Sequence, residues 1–267
     1  MYFCPLYSGS SGNALFCQYG NTRVLIDAGK PGRAIAEALE AIGVRPESIS
    51  GVLITHEHTD HISGAGVMAR KYHLPLYATP GTWRGIGDKI GRVDPELKRD
   101  IAPGRDFWLG EMGISPFAIP HDAAQPVGFR LWGGEMSVST ATDLGVFTET
   151  VYERIAGSSL VLLESNHDPD MLRANPYYAP SLKQRILGNK GHLSNDACAG
   201  ALLRLVAGGT GTVILGHLSG ENNTPALARR VSETALAREG IDPGRDICLR
   251  VALRDTPGDV YCIRERN

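Results

Sequence analysis

The sequence predicts a layered α/β protein, built as one domain over residues 1–267, and two observations carry that expectation. A chain of 267 residues buries a sizeable core, and layered folds of this kind commonly use that length as one domain. The order of apolar patterns is the second: the chain opens strand-rich and then alternates strand and helix twice over. Charged residues at 21% and hydrophobic ones at 42% exclude a disordered or fibrous chain.

Taken from the N-terminus, alternating apolar runs predict strands at Phe3–Leu6, Ala14–Tyr19, Thr22–Asp27, Gly51–Thr55 and Leu76–Ala78. Pro31 to Ile42 reads as a helix, with proline in its first turn, Ile35, Leu39 and Ile42 on one face, and Gly43 as its stop. A second helical run spans Ser63 to Tyr72. In the middle, strands are expected at Ile114–Ile119, Gly128–Trp132 and Met136–Thr140, the last two joined as a hairpin at Gly133-Gly134. Then come helix Glu149–Ile155, strand Leu160–Glu164, helix Asn195–Val206, strand Thr212–Leu215, helix Pro225–Arg238 and two closing strands. Gly85–Asp106 and Tyr177–Lys190 are expected as excursions over the surface.

A formal charge of −2 argues against a polyanion binder held by bulk charge, so a nucleic-acid substrate needs a local basic patch. Two candidates exist: Arg84, Lys89, Arg92, Lys98 and Arg99 in one excursion, and Lys183, Arg185 and Lys190 in the other. Both also suit plain solvated faces. The five cysteines form no CxxC pair and read as buried free thiols of a reducing compartment. Without a basic-then-apolar leader or a long apolar run, the expectation is a cytoplasmic protein with no membrane partner.

The chemistry concentrates in Thr55-His56-Glu57-His58-Thr59-Asp60-His61, directly after the apolar strand Gly51–Ile54. Imidazole nitrogen and carboxylate oxygen suit zinc and its neighbours, and a turn at a strand end lets such side chains converge without disrupting the sheet. One ion does not easily take all four groups from so short a loop, so two adjacent ions are expected. A solvated histidine-rich turn is the plainer alternative.

This HxHxDH pattern after a strand resembles the metal-binding signature of the metallo-β-lactamase superfamily. The likeness extends to Asp27, His121, Asp143 and His217, each placed after an apolar strand. It implies a four-layer αββα sandwich, with His56, His58 and His121 on one metal, Asp60, His61 and His217 on the other, and Asp143 bridging. Zinc is the default ion, with manganese or iron as alternatives. A water bridging two such ions loses its proton near neutral pH and attacks as hydroxide. Branches that hold redox-active di-iron usually carry glutamate at position 58; histidine there favours hydrolysis.

Outside these ligands, the resemblance narrows to the YycJ/WalJ-type branch, regarded as DNA exonuclease-like. The loop Ser8-Gly9-Ser10-Ser11-Gly12-Asn13 offers Ser10, Ser11 and Asn13 to an anionic oxygen, although Gly and Ser also make ordinary turns. His192, in Gly191-His192-Leu193-Ser194-Asn195, resembles the histidine that protonates the leaving oxygen in the nuclease branch. Asp60 and His192 are therefore the expected catalytic residues. His167, Ser194 and Asn222 are expected to touch substrate, with a turn or a helix cap as their structural readings. His73 reads as structural.

Two rivals stand beside a DNA phosphodiesterase. A thioester hydrolase resembling glyoxalase II usually has Thr-Pro-Gly-His-Thr at the third ligand, which Ile119-Pro120-His121-Asp122 does not match. A metal-stabilised regulatory module without turnover would not need every ligand position.

Overall fold

A computed structural model describes residues 1–265. Along the chain run β1 (Tyr2–Tyr7), β2 (Ala14–Tyr19), β3 (Thr22–Ile26), α1 (Gly32–Ala41), β4 (Gly51–Leu53), α2 (Thr59–Ile62), α3 (Ala65–Tyr72), β5 (Leu76–Ala78) and α4 (Pro80–Ile86). Next are β6 (Lys98–Asp100), β7 (Phe107–Leu109), β8 (Met112–Ala118), β9 (Val127–Gly133) and β10 (Met136–Ala141). The remainder holds α5 (Glu149–Ile155), β11 (Leu160–Glu164), α6 (Pro169–Ala174), α7 (Pro180–Leu187), α8 (Asn195–Ala207), β12 (Thr212–Gly216), α9 (Pro225–Arg238), β13 (Cys248–Val251) and β14 (Tyr261–Cys262). No described helix is long and apolar enough to cross a membrane.

The chain folds as two compact units. The first takes Met1–Ala118, Ala123–Met136 and the chain from Leu253; the second takes Ile119–Asp122 and Ser137–Ala252.

In the first unit, strands order as β14-β1-β2-β3-β4-β5-β6. β1, β2 and β3 pair antiparallel, and β3 through β6 run parallel, so β3 to β6 all end at one edge of the sheet. Leu25, Val52, Ile54 and Leu76 meet Ile35 and Leu39 of α1 and Met68 and Ala69 of α3 in a buried core. That is the apolar face the helix periodicity of α1 foretold, and Gly43, at φ +76°, ends the helix as expected. A separate ladder, β7-β8-β9, is antiparallel.

The second unit is built on parallel strands β10, β11, β12 and β13, with α8 and α9 packed together. β11 is buried along its whole length, which explains its unbroken Leu-Val-Leu-Leu run.

Three expectations need correction. The helix expected from Ser63 starts two residues later, at Ala65, and a separate four-residue helix, Thr59–Ile62, precedes it; between them Gly64 donates its N–H to Ala28 O at 2.8 Å, where the chain meets the segment after β3. Residues 85–106 are not a bare excursion: Ile86, Ile90, Val93, Leu97 and Ile101 are buried, and Lys98–Asp100 add an edge strand whose charged side chains are exposed. The thiols are free, but only Cys4, Cys17 and Cys198 are buried, their pKa pushed up to about 12 by burial. Cys262 is exposed because it sits on the short outer strand β14.

Candidate metal centre

In the first unit the site begins where β3 and β4 end side by side. Asp27 follows β3 at φ +61°, a left-handed conformation that turns its carboxylate toward the end of β4. There it accepts the Thr55 N–H at 2.8 Å and lies 2.7 Å from His61 Nδ1. Burial pushes the Asp27 carboxyl upward against the opposing pull of His61 and the Thr55 donors. Thr55 Oγ1 also stands 3.0 Å from His56 Nδ1. With their Nδ1 atoms so engaged, Nε2 is the ring nitrogen that His56 and His61 would each offer to a cation.

Those Nε2 atoms meet partners of the ligand type. His56 Nε2 lies 3.0 Å from His58 Nδ1, and His61 Nε2 lies 3.5 Å from Asp60 Oδ2. Nitrogens bound to one tetrahedral zinc at about 2.0–2.1 Å stand roughly 3.3 Å apart, so the spacing fits a shared cation. The donor set, imidazole with a carboxylate, fits as well. Close backbone crossings hold the loop: Asn13 N donates to Asp60 O and Ala28 N to His61 O, each at 2.8 Å.

In the second unit the ends of the parallel strands β10, β11 and β12 deliver Asp143, Glu164 and His217. Asp143 and His217 both sit at positive φ, +58° and +55°, just past their strands. Gly145 N donates to Pro120 O, bringing the His121 segment to the end of β10, and His121 Nδ1 lies 3.1 Å from Gly191 O. Asp143 Oδ1 is then 3.5 Å from His217 Nε2, 3.7 Å from His192 Nδ1 and 3.9 Å from His121 Nε2.

Glu164 was not singled out from sequence, yet it organises this cluster. Fully buried, it places Oε1 2.8 Å from Nδ1 of both His192 and His217, and its Oε2 accepts the N–H groups of Leu144 and Leu193. Burial alone would raise its pKa; the two imidazoles more than reverse that and hold it below the usual carboxylate range. In turn, burial disfavours the His192 imidazolium, but Glu164 and then Asp143 raise its pKa above the ordinary value. The available signal was an acid closing a buried apolar strand, the same position Asp27 and Asp143 occupy.

Asparagines knit the surrounding loops. Asn223 Nδ2 donates to Ser165 O, Asn166 O and Asn195 Oδ1, while Asn166 Nδ2 donates to His217 O. The residues expected at the substrate divide by environment. Ser10 is exposed, and exposed Ser11 is tied to Lys30 and Asp255. Asn13 is buried, with its amide on Gly9 and 3.1 Å from His61 Nε2, so its hydrogen bonds serve the metal loop. Ser194 caps α8 through Ala197 N, and buried Asn222 accepts from Asn175. His167 is buried with neither ring nitrogen hydrogen-bonded, and burial lowers its pKa to about 4. His73 ends α3 in the left-handed region, a structural place.

A model of the beta-lactamase superfamily domain matches residues 22–218, a span that takes in every candidate ligand. Exodeoxyribonuclease WalJ of Streptococcus pneumoniae is 38% identical over 94% of both chains. Exodeoxyribonuclease YycJ of Bacillus anthracis is 35% identical over 91% of this chain and 92% of its own. Among solved structures, Zn(2+)-bound PqqB from Methylobacterium extorquens superposes with a TM-score of 0.74 at 18% identity, over 97% of this chain and 100% of that one. The metallo-beta-lactamase fold protein YhfI from Bacillus subtilis gives 0.72 at 15% identity, over 97% and 98%. The αββα fold expected from the motif order is therefore the fold of this chain, which belongs to the metallo-β-lactamase superfamily of hydrolases, in the branch of the WalJ and YycJ proteins.

Proposed function

We propose that this chain is a dinuclear metal-dependent phosphodiesterase that degrades DNA from an end, acting as one hydrolase domain in a reducing, cytoplasmic setting. The observation that carries it is the same in both units: imidazole and carboxylate ligand atoms converge while the opposite ring nitrogen is held by an oxygen acceptor. Asp27 does this for His61, Gly191 O for His121, and Glu164 for His217. The names of the relatives similar over nearly the whole chain support DNA as substrate.

The ligand set is the one the family resemblance implies: His56, His58 and His121 for one ion, Asp60, His61 and His217 for the other, Asp143 for both. The distances from Asp143 Oδ1 to His121 Nε2 and His217 Nε2 support its bridging assignment. When bound, zinc, manganese or iron supplies a water acidified toward neutral pH and positive charge facing the phosphate. The protein's share is orientation and proton handling. Asp60 and Asp143 offset cationic charge, and Asp60 also completes the set around His61. Glu164 fixes His192 through Nδ1, leaving Nε2 to deliver a proton to the departing sugar oxygen, which leaves poorly without one.

The test combines metal analysis of the purified protein with digestion of 5′- and 3′-labelled single- and double-stranded DNA and RNA, with zinc, manganese and magnesium supplied separately. The expected result is bound transition metal and stepwise shortening of DNA from one end. Protein free of metal, or faster turnover of a glutathione thioester than of bis(p-nitrophenyl) phosphate, overturns the reading.

A further inference from the structure

The first unit holds a cleft of about 490 Å³, within the size range of small-ligand sites, that none of the chemistry above uses. It is lined by Tyr77, Arg99, Ile101, Arg105, Asp106 and Phe107, among others. Tyr77 and Phe107 stack with ring centroids 5.5 Å apart and planes 13° from parallel. Both rings are half-buried, so the aromatic pair forms a wall of the cleft, while Arg99, Arg105 and Asp106 stand exposed at its rim.

Its place in the sheet matters as much as its lining. Leu53, Tyr77 and Arg99 occupy one row across the parallel strands β4, β5 and β6. Gly51, in the same strand as Leu53, gives the Tyr77 ring its room, since a Cβ there would stand 2.7 Å from the ring. The cleft opens at the carboxyl ends of β5 and β6, the edge at which open α/β sheets bind ligands. The His56–His61 loop leaves β4 at that same edge. Two strand spacings, roughly 10 Å, separate the ends of β4 and β6. Three stacked nucleotides at about 3.4 Å each cover that span.

We propose that this cleft is a nucleotide subsite, in which a base of single-stranded DNA stacks against the Tyr77–Phe107 pair and the neighbouring phosphate meets Arg105 and Arg99. Aromatic rings accept any base by its face, and arginine pairs with phosphate through its planar donors. Asp106 offers an acceptor to exocyclic amino groups, which a simple anion site would not place there. The subsite rests on the phosphodiesterase reading and deepens it, holding a nucleotide beyond the bond being cut.

The test uses Arg105→Ala and Phe107→Leu in the metal-loaded protein, each read with two substrates and one ligand. For a single-stranded 12-mer DNA, KM is expected to rise about ten-fold in each variant, the share of one stacked base or phosphate contact. Turnover of bis(p-nitrophenyl) phosphate, too small to reach the cleft, is expected to stay unchanged. Binding of a deoxynucleoside 5′-monophosphate, followed by ligand-observed NMR, is expected to weaken by a similar factor. Unchanged 12-mer KM and monophosphate binding in both variants would overturn the subsite, as would equal losses on the small diester, which mark a structural role. If wild-type protein cleaves the small diester but no nucleic acid, the DNA reading fails while the monophosphate measurement still decides the cleft.

Discussion

Glu164 Oε1 stands 2.8 Å from His217 Nδ1, and the same oxygen stands 2.8 Å from His192 Nδ1. One buried carboxylate thus sets the orientation of a metal-ligand candidate and of the proton-donor candidate together. Neutralising it removes the charge that both rings share. Glu164→Gln is expected to lower metal affinity roughly 10–100-fold and turnover by at least as much. Titration with a competing chelator, alongside kcat at saturating metal, checks both; unchanged affinity would remove Glu164 from the metal centre.

Asp60 is partly exposed and lies in the four-residue helix α2, so its side chain contributes little to the core. Asp60→Ala is expected to reduce hydrolysis more than roughly 100-fold, beyond the range typical of outer partners. The thermal midpoint of the metal-free protein is expected to move by only a few degrees, within about 1 kcal/mol. A fully active Asp60→Ala protein would contradict its assignment.

Gly29 is needed for a close crossing rather than for a turn. A Cβ on it would sit 1.6 Å from Asp60 O, at the point where Gly29 N also donates to Asn13 O. No rotamer change relieves a clash with backbone. Gly29→Ala is expected to displace the metal loop, destabilise the protein by about 1–3 kcal/mol or more, and lower metal occupancy. Denaturant midpoints and metal content read the two effects separately.

His167 predicts a pH dependence of stability. Burial lowers its folded pKa to about 4, against 6.5 ordinarily. The unfolded chain therefore takes up a proton first as pH falls. Stability from this residue is complete above about pH 6.5, declines between pH 6.5 and 4, and is lost below, a change of about 3 kcal/mol at most. His167→Asn is expected to flatten that part of the profile. Urea unfolding of wild type and variant at pH 7 and pH 5 measures it, and parallel losses in the two proteins would count against the assignment.

Much of the fold was legible because local patterns carried it. β2, α5, β11 and α9 have the bounds their periodicity and caps predict, since each has an unambiguous apolar face and a clear stop. The His56–His61 loop stood out for a different reason: three imidazoles and a carboxylate after a buried strand have little structural use. Helices α6 and α7 were not anticipated, and α7 buries no side chain, so nothing in the core marks it. Thr55 and Glu164 escaped because their roles depend on which strand ends lie adjacent.

By itself, the sequence determined most of the element types, the strand-end placement of His56–His61, Asp143 and His217, and membership in a hydrolase family, because short-range periodicity and a dense motif encode them. Only the tertiary structure decided that Asp27 holds His61, that Glu164 serves His192 and His217 at once, that Asn13 turns inward, and that Tyr77 stacks on Phe107. These are contacts between residues 28 to 53 positions apart, and which of them form follows from strand order and burial, quantities that no local run of residues carries.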